Sequence, residues 1–185
     1  SNRLEELRQR YADGVIVIDP VENCQALKDW HSEGLPIVLV GNSPEKYPEI
    51  DTFVNNTAEA VEDIITHLID YGHRKIAGIF TSVDMIPNSV SFWQGWENAF
   101  EPIGEKPNPE FYFPIIYSLE EPEAMIYEHA YKAAQDFLKR FSKDDPKRPT
   151  ALFTMGDSIT LPIVKAFQEA GWQIPDDISI VSNYI

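Results

Sequence analysis

Residues 149–181 read PTALFTMGDSITLPIVKAFQEAGWQIPDDISIV, and this stretch decides the fold. A short apolar run over 151–155 stops at Gly156, Asp157 and Ser158. Ile159, Ile163, Phe167 and Ala170 then recur at helical spacing, and Gly171 is the stop signal. After Pro175 a second apolar run, 178–181, begins within a few residues. Strand, crossover helix and strand in this order predict two parallel neighbours in one sheet with a right-handed connection. In an open parallel sheet the ligand crevice lies beyond the carboxyl ends of the strands, which is where Asp157 and the residues after Val181 fall.

Upstream the same alternation continues. Residues 75–81 read as a strand, 82–88 as a loop and 90–100 as a helix carrying Phe92, Trp93, Trp96 and Phe100. The stretch 111–117 is strand-like, and Pro114 either demotes it to a sheet edge or distorts it. The longest helical pattern, 120–141, offers Met125, Ala130, Ala133, Ala134, Phe137 and Leu138 for burial, and a charged loop, 142–149, follows it. Asn56 and Glu59 have the spacing of a capping box. Behind them Ala60, Val61, Ile64, Ile65, Leu68 and Ile69 form one apolar stripe that Gly72 closes. Nearer the amino terminus, 3–11 is an amphipathic helix with Leu4, Leu7 and Tyr11 on one face. The β-branched run 15–18 predicts a strand buried on both faces. Residues 22–33 form a helix with Cys24, Leu27 and Trp30 or His31 inward, closed by Gly34; 36–40 is a buried strand and 53–54 a short one. Strands alternating with helices make an α/β protein.

The TALF run at 150–153, then Asp157, the helix ending in Glu169, Ala170 and Gly171, and IPDDISIV at 174–181 resemble the effector-binding domain of the LacI/GalR family of bacterial transcriptional repressors. HLIDYGHRKIA at 67–77 is similar to that family's helix end and following strand, and the two motifs stand at the family's separation. The resemblance covers essentially the whole chain. It implies a periplasmic-binding-protein-like fold of two parallel-sheet α/β lobes, both incomplete: 1–72 as part of the N-terminal lobe and 73–185 as part of the C-terminal lobe. By the same resemblance the opening strand and helix of the first lobe, the helix-turn-helix headpiece and the end of the second lobe are absent from the sequence. The implied function is sensing of a small-molecule effector, expected to be a neutral sugar, by a homodimeric regulator that meets operator DNA through its headpiece. A solute-binding protein of a sugar transporter shares the fold and is the alternative; IPDDISIV and the lack of an opening signal peptide speak against it. A small α/β enzyme would rest on fold alone.

Composition narrows the classes further. Hydrophobic residues at 43% and aromatics at 12% exclude disorder, and 185 residues suffice to bury a core. A formal charge of −15 repels phosphate, so this stretch is not expected to bind nucleic acid by itself. The single cysteine, Cys24, permits no internal disulfide. His31, His67 and His129 show no metal-ligand spacing, and no metal or other cofactor is expected. No apolar stretch approaches the length of a membrane span, which makes the cytoplasm the expected location. There is no Gly-x-Gly-x-x-Gly after a strand, no Walker loop and no Gly-x-Ser-x-Gly elbow, so no catalytic set and no enzyme are predicted.

The candidate ligand-binding residues follow from the strand ends. Asn88 and Phe92 come after one strand, Tyr117 after a second, Asp157 after a third, and Asn183 and Tyr184 after a fourth, with Asn55 and Asn56 expected across the cleft. The resemblance places Phe92 where many family members carry a sugar-binding arginine, Tyr184 where many carry an aspartate, and Asn56 where an aspartate is common. These departures predict a pocket of Asp157 with aromatic and amide groups in place of an arginine–aspartate clamp. Each residue also has a plainer reading. Asp157 can cap its helix. Phe92, Trp93 and Trp96 cannot all point one way, since neighbouring helical positions are about 100° apart, and such aromatics are more often core than pocket. His73 and Arg74 suit the negative end of the preceding helix dipole.

Overall fold

The computed structural model describes residues 12–18, 24–41, 46–54, 56–81, 89–116 and 124–183. The expected helix at 3–11 lies outside them, as do the loop 82–88 and the start of the pattern read at 120–141. The chain divides into two compact units, Ser1–Asn55 and Asn56–Ile185.

The first unit holds three parallel strands in the order β1 (Val15–Ile18), β2 (Ile37–Val40) and β3 (Asp51–Phe53), with helix α1 (Gln25–Ser32) between the first two. Leu27 and Trp30 on α1 bury Ile37 and Leu39, and Tyr47 and Ile50 complete that core. Here one expectation fails. The run at β1 was read as buried on both faces, yet Ile16 and Ile18 are 70% and 69% exposed, and Phe53 on β3 is 72% exposed. Among the described residues α1 covers one face of this sheet, and the alternate side chains stand on the other.

The second unit is a parallel sheet in the order β5 (Tyr112–Ile115), β4 (Ile76–Thr81), β6 (Ala151–Met155), β7 (Ser179–Asn183). Pro114 lies on an edge strand, as its missing N–H requires. Helices α4 (Ala124–Arg140) and α5 (Asp157–Glu169) cover one face, where Phe137, Ile163 and Phe167 meet Ile79 and Leu152. Helices α2 (Thr57–Asp70) and α3 (Ser89–Phe100) cover the other, where Val61, Ile65 and Trp96 meet Ile76, Phe80 and Phe153. Every residue of β4 is buried, as a central strand covered on both faces must be. Burying Ile65, Ile79, Trp96 and Phe153 in this way stabilises the unit by roughly 1.5–3 kcal/mol for each aliphatic or phenyl side chain.

The boundary expected after residue 72 is therefore corrected to 55/56. The stripe of α2 packs on the second sheet through Val61, Ile65, Leu68 and Ile69, so the helix belongs to the unit that follows it. Ala60, counted in that stripe, is exposed, as are Met125 on α4 and Ala170 at the end of α5. Glycine closes the helices where the sequence indicated. Gly72 N–H bonds Ile69 O at 2.9 Å and His73 N–H bonds Leu68 O at 3.0 Å, and Gly171 and Trp172 repeat the pair on Gln168 and Phe167 at 2.9 Å each.

Candidate ligand site at the carboxyl edge of the second sheet

Register fixes which residues share an edge. Thr81 pairs with Ile115, Ile79 with Thr154 and Met155 with Asn183, all in parallel, so the four strands end on one side. Helix α2 contributes to the same side. Its 14 residues span about 21 Å and β4, with 6, about 20 Å. Because α2 leads directly into β4 and runs back along it, its first turn, at Asn56, lies level with Thr81.

Asp157 is the first residue of α5, and the N-cap is Gly156, which has no side chain to donate or accept. The capping alternative for Asp157 is thus not realised. Among the described residues its carboxylate makes no hydrogen bond or ion pair, and the side chain is exposed. Gly156 N–H bonds Asn183 O at 2.8 Å, tying the turn to the end of β7. Thr160 Oγ1 lies 2.6 Å from Gly156 O and 2.9 Å from Ser182 Oγ, so α5 is anchored from both sides of the turn. Sequence reading passed over Thr160 and Ser182; the signal present was a threonine four residues after the turn glycine, placed for back-bonding.

Asn183 is 7% exposed, and among the described residues neither its Oδ1 nor its Nδ2 has a hydrogen-bond partner. Asn56 does cap α2, its Oδ1 accepting from Glu59 N–H at 3.4 Å. Its Nδ2 donates to Glu59 Oε2 at 2.5 Å, closing the box side chain to side chain. Asn56 was expected across the cleft. It belongs to the same unit as Asp157 and Asn183, because the helix it caps packs on their sheet.

Phe92 requires a correction. It is 2% exposed, with its ring centroid 6.0 Å from Phe80 and 6.3 Å from Phe153, and is a core side chain, not a pocket wall. Trp93 is the aromatic that turns elsewhere, meeting Trp96 and Tyr112 edge to face at 5.4 and 5.5 Å. Tyr112 Oη in turn donates to Thr81 O at 3.1 Å, and Thr81 Oγ1 contacts Met155 Sδ at 3.6 Å. Asn55, Asn88, Tyr117 and Tyr184 lie outside the described residues.

The opposite edge is structural. His73 Nδ1 lies 2.8 Å from Thr150 Oγ1, and burial holds its pKa below the ordinary imidazole value. Lys143 Nζ sits 2.6 Å from Asp177, a hydrogen-bonded cation that lowers that carboxyl's pKa, with Gln173 N–H adding to it. A hollow of about 430 Å³ between the end of α3 and the following turn is lined by Gln94, Glu97, Glu101 and Lys106, away from the strand carboxyl ends. Among the described residues no group of His, Cys, Asp and Glu is placed to hold a metal ion, and no helix is long and apolar enough to cross a membrane.

Two parallel α/β sheets, one with polar groups gathered at its carboxyl edge, define the class of periplasmic-binding-protein-like domains. The family described as periplasmic binding protein-like domain matches residues 65–184, and the chain belongs to it. Over 180 residues it is 29% identical to the HTH-type transcriptional repressor PurR of Aliivibrio fischeri (strain MJ11), covering 96% of this chain and 49% of that protein. A regulatory protein of the LacI family from Chloroflexus aggregans superposes with a TM-score of 0.73 at 19% identity, covering 98% of this chain and 60% of that one. A LacI family transcriptional regulator from Lactobacillus casei with bound glucose gives 0.69 at 20%, covering 97% and 62%. The chain spans about half the length of the curated relatives it matches. Those relatives are transcriptional regulators, not enzymes.

Proposed function

We propose that this chain is the effector-sensing part of a homodimeric, cytoplasmic LacI/GalR-type regulator, and that its effector is a neutral carbohydrate bound at the carboxyl edge of the second sheet. The observation that carries the reading is Asp157: an exposed carboxylate without a partner among the described residues, fixed at a strand-to-helix turn where four strand ends converge. A carboxylate that only accepts hydrogen bonds suits a ligand rich in hydroxyl donors. The glucose-bound Lactobacillus casei regulator, of the same fold, supports a sugar as the first class to test. By this reading operator DNA is met by another part of the full-length regulator. The effector acts by binding one conformational state of the regulator more tightly than another, since a ligand with equal affinity for both would shift nothing.

The test is a thermal-shift screen of neutral sugars, sugar phosphates and nucleobases, followed by calorimetry on Asp157→Ala. A ligand at 100 times its Kd adds roughly 2.7 kcal/mol of stability, enough to register in the screen. Loss of a charge-assisted hydrogen bond weakens binding by about 1.5–3 kcal/mol, roughly 10- to 150-fold. Unchanged affinity in Asp157→Ala, or a phosphorylated sugar binding best, would defeat the reading.

A further inference from the structure

We propose that the Asn183 carboxamide is a specificity-determining group that reads a neutral edge of the effector bearing both a donor and an acceptor, and that the fold carries it unpartnered for this purpose. The inference rests on reading the carboxyl edge as the ligand site. It adds the residue that selects among ligands reaching that site.

The backbone at Asn183 is held firmly. Its register with Met155 continues the β6–β7 ladder, and its carbonyl accepts from Gly156 N–H at 2.8 Å and from Ser182 Oγ at 3.3 Å. The side chain therefore projects from a fixed strand end and not from a free loop. By strand alternation it shares a face with Val181, which packs against the core of α2 and α3. An amide on that face would be expected to find partners, because a buried carboxamide left unsatisfied loses its hydration and receives nothing in return. Both of its polar atoms are nevertheless buried and without a hydrogen-bond partner among the described residues.

The alternative side chain was available. Leucine has almost the same shape and would satisfy this apolar surround without desolvating an amide, so packing does not account for asparagine. A carboxamide offers two donors and an acceptor about 2.3 Å apart in one plane, which matches a pair of adjacent hydroxyls on a sugar or the donor–acceptor edge of a nucleobase. An anion lacks the donor half of that match. Gly156, which precedes Asp157, bonds the Asn183 carbonyl, so the backbones that carry the two side chains adjoin at the carboxyl edge.

The experiment compares the 185-residue chain with its Asn183→Leu variant, first without ligand and then with D-glucose, D-ribose and adenine as probes. In the absence of ligand the variant's Tm should rise by about 2–6 °C, since removing an unpartnered amide stabilises a protein of this size by that order. An unchanged or lower Tm, including failure to fold, would mean that the amide is satisfied structurally, for instance by a buried water, and overturns the proposal. Any probe that shifts the wild type should bind Asn183→Leu at least tenfold more weakly; equal binding also overturns it. The sugar and adenine arms distinguish the two sources of the donor–acceptor edge. Asp157→Ala run alongside separates the failures. Binding lost there but kept in Asn183→Leu sinks this inference alone, whereas binding kept in both sinks the site. Where no probe binds, the ligand-free comparison decides.

Discussion

Gly156 stands at φ 64° and ψ 162°, in a region of backbone space that glycine alone occupies without strain. Its position explains why strand β6 can turn at once into α5 and present Asp157 outward, with its own N–H spent on Asn183 O. A Cβ built on Gly156 would meet nothing within 4 Å, so the effect of substitution there is separable from crowding. Gly156→Ala should lower stability by roughly 1–3 kcal/mol, the typical cost of holding an alanine in such a conformation. Urea denaturation measures it, and a loss below about 0.5 kcal/mol would show that the turn relaxes instead of holding its geometry. The same variant should weaken any ligand that depends on Asp157, because the carboxylate moves with the turn.

At the scale of elements, helix ends were legible because their signals are local. The capping pair at Asn56 and Glu59, the stops at Gly72 and Gly171, and the edge position of Pro114 each follow from one residue's backbone chemistry. The partner of a face was not legible. The stripe of α2 announces burial but not against which sheet, which is why the unit boundary moved from 72 to 55/56. Phe92 likewise lies at a helix start beyond a strand end, and only the surrounding Phe80 and Phe153 rings decide that it points inward. Of the candidate site, Asp157 and Asn183 could be placed from strand ends alone, while the bare amide of Asn183 is a property of its surroundings. Close approach was also hidden: a Cβ on Gly95 would lie 2.2 Å from Ala58 O and 2.8 Å from Val61 Cβ, so α2 and α3 touch through a missing side chain. Gly95→Ala sets two effects against each other. Helix propensity favours alanine by about 1 kcal/mol, but a backbone carbonyl cannot step aside, and forcing the helices apart costs typically 1–3 kcal/mol or more. The clash should win, giving a net loss on thermal denaturation; a stabilised variant would mean that α2 and α3 separate freely.

On the scale of the whole molecule, charge determines what the chain can meet. Thirty acidic residues against 15 lysines and arginines give −15, and some of the second unit's cations lie beside carboxylates. Lys139 lies 2.8 Å from Asp136, Arg140 3.1 Å from Glu110, Lys143 2.6 Å from Asp177 and Lys165 4.0 Å from Glu169. Duplex DNA is held by releasing counterions, one for each phosphate that a free cation neutralises. A surface on which carboxylates outnumber cations two to one offers few such contacts, and at low salt, where the Debye length reaches about 30 Å, the excess of negative charge repels the duplex from further away. The chain of residues 1–185 should therefore give no saturable shift of duplex DNA in a gel at about 10 mM salt, the condition most favourable to weak electrostatic binding. Saturable, sequence-dependent binding by the 185-residue chain alone would show that an acidic sensing unit reads DNA directly, and would remove the division of labour on which the proposed function depends.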